Sequence, residues 1–390
     1  MKLASIRPAI FGALLLPVLA FAQDRPAATT ALYDGWRNMG SIYVLTTPEG
    51  ASLPTGSVEK DFPLLVRLHK DFFDFSQAKA DGADVRFSTS AGEPLAHQVE
   101  EWDTARGAAS IWVRLPVIKG DERQELRVHW GKSDAVSESR GAAVFNEANG
   151  YLSVWHMNSP VRDEVGTLDS KDEGTTTTPG IIGPARHFAG GQGVFAGDQI
   201  NRYPTGSSPH TSEAWLRVEQ PNGRVVAWGN EQAQGKVVMQ VRGPPHIGVD
   251  AYFSNANAQG GGALAMSEWV QVVHTYEKGN SRVYVNGVLD GVAKSSATPL
   301  NIKRPARLWL GGWYQDYDFV GDLDEVRVSK VARSADWVRL QYENQRRVQM
   351  LVGSIVQPGT SFTVSPATVM VLEGNRVAFS AQAGGAQKVL

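Results

Sequence analysis

The 390-residue chain contains no cysteine. That excludes disulfides, thiolate metal ligands, a thiol nucleophile and lipid attachment through a cysteine. The fold must therefore rest on buried apolar side chains. Charge of one sign is also lacking, because 38 lysines and arginines face 40 aspartates and glutamates for a formal charge of −2. Such a balance offers no electrostatic footprint for nucleic acid or an anionic membrane. Long apolar runs are missing except at the start, where Lys2 and Arg7 precede a run from Ala9 to Phe21. That run is about 13 residues where a membrane span needs about 20. Ala20-Phe21-Ala22 has the small-x-small pattern of a signal-peptidase site. Residues 1–22 are thus expected to be a signal peptide cleaved near Ala22, with Gln23 opening a periplasmic or secreted protein that has no later transmembrane segment.

What the chain does have is 40 glycines, 20 prolines and 11 tryptophans spread between short alternating runs, the pattern of an all-β protein. From Gly40 to Gly131 the runs GSIYVLTT, FPLLVRLH, ADVRFSTS, HQVEEWD, SIWVRLPV and ELRVHWG suit one β-sandwich, placed at 31–135. In IWVRLPV, Ile111, Val113 and Leu115 share a core face and leave Trp112 and Arg114 on a wetter one. The small, polar segment 132–149 marks a domain boundary. A second β region at 150–332 carries the hairpin signal RVYVNGVLDG, since Asn286-Gly287 suits a turn with two positive φ angles. Residues 163–183 read as a polar surface loop. Ser334 is an N-cap for a short helix within 333–350. Residues 358–390 hold two or three strand-like pieces, too few for a core of their own, and are expected to be an incomplete immunoglobulin-like segment.

DFPLLVRL, FDFSQAKADGADVRF, PLAHQVEEWD, IWVRLPVIKGD and LRVHWGK, between Asp61 and Lys132, resemble a bacterial family of unknown function whose members often precede a concanavalin A-like sandwich. SVWHMN, Asp169-Ser170, IGPARHFAGG, TSEAWLRV, EWVQVVHTYEKGNSRVYVNGVLDG and FVGDLDEVRVSKVARSADW resemble that sandwich in its laminin-G-like form. The resemblance implies two β-sandwiches, the second a jelly roll, in an exported ligand-binding protein without an established activity. Some relatives are joined to proton-channel subunits of the cell envelope, which makes an envelope protein partner a background expectation.

The stretch GGWYQDYDFVGDLDEVRVS, from Gly311 to Ser329, mixes aromatic rings with acids. Its first part is expected to be a rim loop after Gly311-Gly312. Trp313, Tyr314 and Tyr317 could there stack on sugar faces while Gln315, Asp316 and Asp318 bond hydroxyls. The alternative is that these rings plug the end of the core. A retaining glycosidase needs two carboxylates about 5–5.5 Å apart. Strict alternation puts Asp322, Asp324 and Val326 on one face and Glu325 on the other, so no catalytic residue is assigned. Asp322 and Asp324 remain structural acids that bond loop amides, or calcium ligands, with no other cofactor implied. Gly191-Gln192-Gly193 is read as a turn rather than a dinucleotide fingerprint, and His97, near Glu100 and Glu101, as a rim residue. The leading expectation is an exported, non-catalytic protein that recognises a glycan or other envelope polymer. Its rivals are a structural or assembly module and a laminarinase-like hydrolase. The first requires the aromatics of 311–319 exposed, the second requires them buried, and the third requires a second carboxylate facing Asp322 or Asp324.

Overall fold

The computed structural model describes residues 32–294, 297–314, 316–357, 361–365 and 380–384. The expected signal peptide and Gln315 lie outside them. The protein is all-β, and no helix among the described residues is long and apolar enough to cross a membrane.

The first sandwich pairs two antiparallel sheets. One orders its strands Asn38–Leu45, Arg123–Trp130, Arg86–Thr89 and Pro94–Leu95; the other orders Val58–His69, Ala108–Lys119 and His97–Asp103. The second sandwich is the expected jelly roll. Its eight-stranded sheet runs Thr176–Pro179, Pro184–Ala189, Val320–Ser329, His210–Val218, Trp269–Glu277, Asn280–Val285 and Val288–Lys294, with Tyr151–Trp155 also paired to Val320–Ser329. The six-stranded sheet runs His246–Asp250, Lys236–Arg242, Gly223–Gly229, Arg307–Leu310, Gly193–Gly197 and Lys171–Glu173. Alternate residues such as Val194, Leu216, Val226, Trp228, Leu308 and Leu323 meet between the sheets. Asn286 and Gly287 turn the predicted hairpin with φ of 50° and 77°. The segment 163–183 is more ordered than a surface loop, because Lys171–Glu173 and Thr176–Pro179 extend the edges of the two sheets.

Besides the jelly roll's own inter-sheet core, a second core joins the first sandwich to the outer face of the jelly roll. Trp112, on the face expected to be wetter, is fully buried in one apolar cluster with Phe145, Tyr151, Val154, Ile182, Trp215 and Leu340. That cluster lies on the outer face of the eight-stranded sheet, where Trp215 alternates with the inward Ala214 and Leu216. The expected boundary segment feeds it: Val144 and Phe145 are completely buried. An aliphatic or phenyl side chain contributes about 1.5–3 kcal/mol when fully buried, so this junction is far more cohesive than the polar contacts usual between domains.

The helix Ala335–Gln345 starts where expected, with the Ser334 hydroxyl accepting from Trp337 N at 2.9 Å. Its apolar face wedges between the sandwiches, with Trp337 edge-on to Phe62 at 4.9 Å. Asn344 accepts from Leu65 N at 2.7 Å and donates to Leu65 O at 2.9 Å, and so occupies the free edge of the Val58–His69 strand. The chain then returns to the first sandwich, where Val356 and Ser41 exchange backbone hydrogen bonds. Beyond it, Ser361–Ser365 pairs antiparallel with Ser380–Gly384; the rest of the expected immunoglobulin-like segment falls outside the described residues.

Candidate functional site

The predicted aromatic loop leaves the Arg307–Leu310 strand at Gly311, whose φ of 81° and contact with Phe188 suit glycine. Trp313 and Asp316 exchange backbone hydrogen bonds at 3.1 and 3.2 Å, which closes a tight turn. The turn folds back over the outer face of the six-stranded sheet. Trp313 is 6% and Tyr317 8% exposed, packed with Ala227, Val238 and Trp309. The expectation of open stacking surfaces is therefore corrected for these two rings: the outer face offers an apolar floor, and they seal it. Their polar ends are satisfied, as large buried aromatics require. Trp313 Nε1 donates to Glu231 Oε1, and Tyr317 OH donates to Glu173 Oε2 at 2.7 Å. Burial, and then the Glu173 carboxylate, push the Tyr317 hydroxyl well up from its ordinary value.

Tyr314 differs. It is half-buried, and its φ of 51° is a costly conformation for a bulky side chain. The backbone strain lays its ring over Trp309 with centroids 4.8 Å apart and planes 31° apart. Phe195 is the cross-strand partner of Trp309, with ring centroids 5.5 Å apart. These rings line a cleft of about 350 Å³ with Tyr317, Glu173, Asp198 and Arg307. Arg307 Nε lies 2.7 Å from Asp198 Oδ1, so the cleft presents ring surface beside an ion pair and a carboxylate. Asp316 and Asp318 are bound instead to Arg224, at 2.8 and 2.9 Å. Phe195, Trp309, Glu173, Asp198 and Arg307 were missed by sequence reasoning. Alternation in VFA and RLWLG does place Phe195 and Trp309 opposite their core neighbours, but only the sheet register makes them partners.

The acidic strand departs from alternation. Opposite Val320–Ser329, the register slips between Glu213 and Trp215, and Glu325 has a φ of 49°. A β-bulge at this point turns Glu325 onto the same side as Asp324, while Leu323, Val326 and Val328 enter the jelly-roll core. The expected grouping of Asp322 and Asp324 with Val326 is thus corrected. The three acids are buried but dispersed by their partners. Asp322 Oδ1 stands 2.9 Å from His187 Nδ1, and its other oxygen pairs with Arg217. Asp324 Oδ2 accepts from the loop amides of Ile181 and Ile182 at 2.8 and 3.0 Å, the structural role considered for it. Glu325 accepts from His156 Nδ1 at 2.6 Å and from Arg327. Asp322 and Asp324 therefore do not converge on a common calcium position.

A second bulge faces this strand from the first sandwich. Register slips between Val99 and Glu101, so Glu100 is the extra residue of His97–Asp103. Its Oε2 accepts from Trp112 Nε1 at 2.6 Å and lies 3.5 Å from His156 Nδ1. Arg327 covers the other side, its guanidinium carbon 4.5 Å from the Trp112 ring centroid. Burial, reinforced by Glu325 and Asp324, pushes the Glu100 carboxyl well up. Burial also opposes ionisation of Glu325, but His156 and Arg327 outweigh it and hold that carboxyl below its usual range. The ligand atoms of Glu100, His156 and Glu325 lie within 4.8 Å of one another, yet Arg327 already neutralises Glu325. His97 is buried rather than at a rim, and burial lowers it to about 4.

Fold and site together define an all-β protein with a sealed acidic junction and an aromatic cleft on its jelly roll. Residues 188–339 match the family Laminin_G_3, described as the concanavalin A-like lectin/glucanases superfamily. Residues 81–153 match a domain of unknown function, DUF2341. The chain thus carries these two domains in the order its sequence suggested. The second match runs through the supposed boundary into Tyr151–Trp155, in keeping with the shared core. No curated protein matches the chain by sequence. Among solved structures, it is similar to domain 4 of an extracellular arabinanase from Geobacillus stearothermophilus in complex with arabinotriose: 18% identity over 49% of this chain and 97% of that one, TM-score 0.40. It is also similar to the binding domain of botulinum neurotoxin serotype G, with 11% identity over 49% and 50% of the two chains and a TM-score of 0.39. Trypanosoma rangeli sialidase matches at 12% identity over 63% and 42%, with a TM-score of 0.38.

Proposed function

We infer that the chain is an exported, non-catalytic binding protein whose jelly roll takes a segment of a glycan in the aromatic cleft. The observation that carries this reading is Tyr314, held in a strained conformation over Trp309 and beside Phe195 at the cleft. Strain of about 1–3 kcal/mol is kept where the surroundings enforce it and is concentrated at ligand sites. Ring faces suit the apolar faces of sugars, while Glu173, Asp198 and Arg307 can exchange hydrogen bonds with hydroxyls. The arginine and the two acids leave the cleft without an excess of either charge large enough to demand an ionic ligand.

The non-catalytic part of the reading is supported by the placement of the acids. Asp324 and Glu325 lie beneath the first sandwich and are engaged by amides, His156 and Arg327, so a polysaccharide has no route to them from the cleft. Export is supported by the leader-like residues 1–22. A glycan array probed with the purified protein tests the reading, with Tyr314→Ala and Phe195→Ala as controls. Binding lost in both variants at an unchanged melting temperature is the expected result. Binding that survives both variants, or release of reducing ends from a bound polysaccharide, overturns it.

A further inference from the structure

Beside the buried junction network lies a separate cleft of about 640 Å³, open to solvent between the sandwiches. Glu100, Glu101 and Asp103 line it from the first sandwich, and Asn158, Pro160 and Arg162 from the second. Two of its buried side-chain acceptors, Glu100 Oε1 and Asn158 Oδ1, have no hydrogen-bond partner among the described residues. The Glu100 side chain is completely buried. A buried carboxyl oxygen with nothing bonded to it is costly, and such an atom in a native fold calls for an explanation.

Both orphaned oxygens lie close to Gly183. A methyl carbon built on Gly183 would lie 3.1 Å from Glu100 Oε1, 3.9 Å from Glu101 Oε2 and 4.0 Å from Asn158 Oδ1. Gly183 has a φ of 57°, so a glycine is both required by the backbone and responsible for keeping this space clear. The nearby cations are committed elsewhere: Arg106 binds Glu101 Oε1 and Asp103, and Arg162 binds Glu164. Two carboxyl oxygens and one carboxamide oxygen therefore lie within 4.0 Å of the position a Cβ would take on Gly183, and Glu100 Oε1 and Asn158 Oδ1 have no protein donor among the described residues.

We propose that Glu100, Glu101 and Asn158 form a Ca²⁺ site that bridges the two sandwiches. The donors are hard oxygens without sulfur, which suits Ca²⁺ rather than a soft transition metal. Ca²⁺ takes six to eight oxygens at about 2.3–2.6 Å in flexible geometry. Water from the open cleft completes the shell, and small movements of the three side chains close the distances. Because Glu100 and Glu101 belong to one sandwich and Asn158 to the other, the ion acts as a clip across the junction. Its affinity falls in the range of extracellular modules, about 10⁻⁴ to 10⁻³ M. This site is independent of the glycan cleft and of Asp322 and Asp324.

Tb³⁺ tests it directly, since Trp102 lines the cleft and Trp112 bonds Glu100, so that indole excitation reports a lanthanide held there. The purified protein is expected to sensitise Tb³⁺ emission that Ca²⁺ displaces, and to melt at a temperature that rises with Ca²⁺. Glu100→Gln and Asn158→Ala are each expected to weaken Tb³⁺ binding at least tenfold, and Asp322→Asn to leave it unchanged. In chelator Asn158→Ala should melt no lower than the parent, because it removes an unsatisfied acceptor. If one variant fails to fold, the other decides. Absence of both emission and a Ca²⁺ response, wild-type affinity in either folded variant, or loss in Asp322→Asn alone overturns the proposal.

Discussion

Glu100 and Glu325, each turned by a β-bulge, approach the same His156 nitrogen from opposite sandwiches, at 3.5 and 2.6 Å. Neither residue can make this approach in a regular strand. The junction is therefore built by two local irregularities that meet. Truncating His156 leaves Glu325 buried with half of its compensation removed. His156→Ala is expected to cost about 3–5 kcal/mol, the usual penalty for breaking a buried ion pair, as measured by urea denaturation.

A cohesive junction also predicts how the chain survives cutting. The stretch from Ser133 to Arg140 is largely exposed and is open to a protease. After a nick there, the two pieces should co-elute in gel filtration and melt in one transition, since Phe145, Trp112 and Trp215 still share a core. Two separable pieces with independent transitions would refute the shared core.

The aromatic residues of the loop should divide by burial. Trp313→Ala removes a nearly buried indole and is expected to cost about 3–5 kcal/mol, whereas Tyr314→Ala keeps the Cβ and so the positive-φ strain, and removes only the contacts of a half-buried ring. Thermal melts should show a large loss for the first and little change for the second. The reverse order would reassign the seal to Tyr314.

Asp324 restrains the loop before the Pro184–Ala189 strand. Asp324→Ala strands the amides of Ile181 and Ile182, each buried donor costing about 1–3 kcal/mol when unsatisfied. Hydrogen exchange at these two amides should accelerate in the variant. Unchanged protection would mean that other acceptors suffice.

Acid should act through buried histidines. Burial lowers His210 to about 4, below the ordinary value near 6.5 in the unfolded chain. The unfolded state therefore binds more protons between these values. Stability from His210 is full above about pH 6.5 and is lost as pH falls toward 4, on the order of 3 kcal/mol. Denaturation from pH 7 to 4 should show a shallower acid slope in His210→Gln than in the parent. Equal slopes would show that His210 does not titrate in this window.

Local chemistry made the strands, the Asn286-Gly287 hairpin, the Ser334 cap and the order of the two domains readable from the chain. Period-two alternation and turn residues act over a few neighbours, so they are visible without a fold. The same rule misled at Glu325, because a bulge adds one residue and reverses which side a carboxylate faces; it is set by the strand paired opposite. Trp112 looked half-wet for a related reason: alternation separates two faces of a sheet but does not say what covers each. Trp313 and Tyr317 were legible as an aromatic cluster, yet their sealing role depends on Ala227 and Val238 below them. The cleft itself required Phe195 and Trp309, more than 100 residues apart in the chain, to become cross-strand partners. Sequence thus determined which elements form, while register and the docking of one sandwich on the other decided which side chains meet, because those contacts are long-range and each can shift with a single residue of slip.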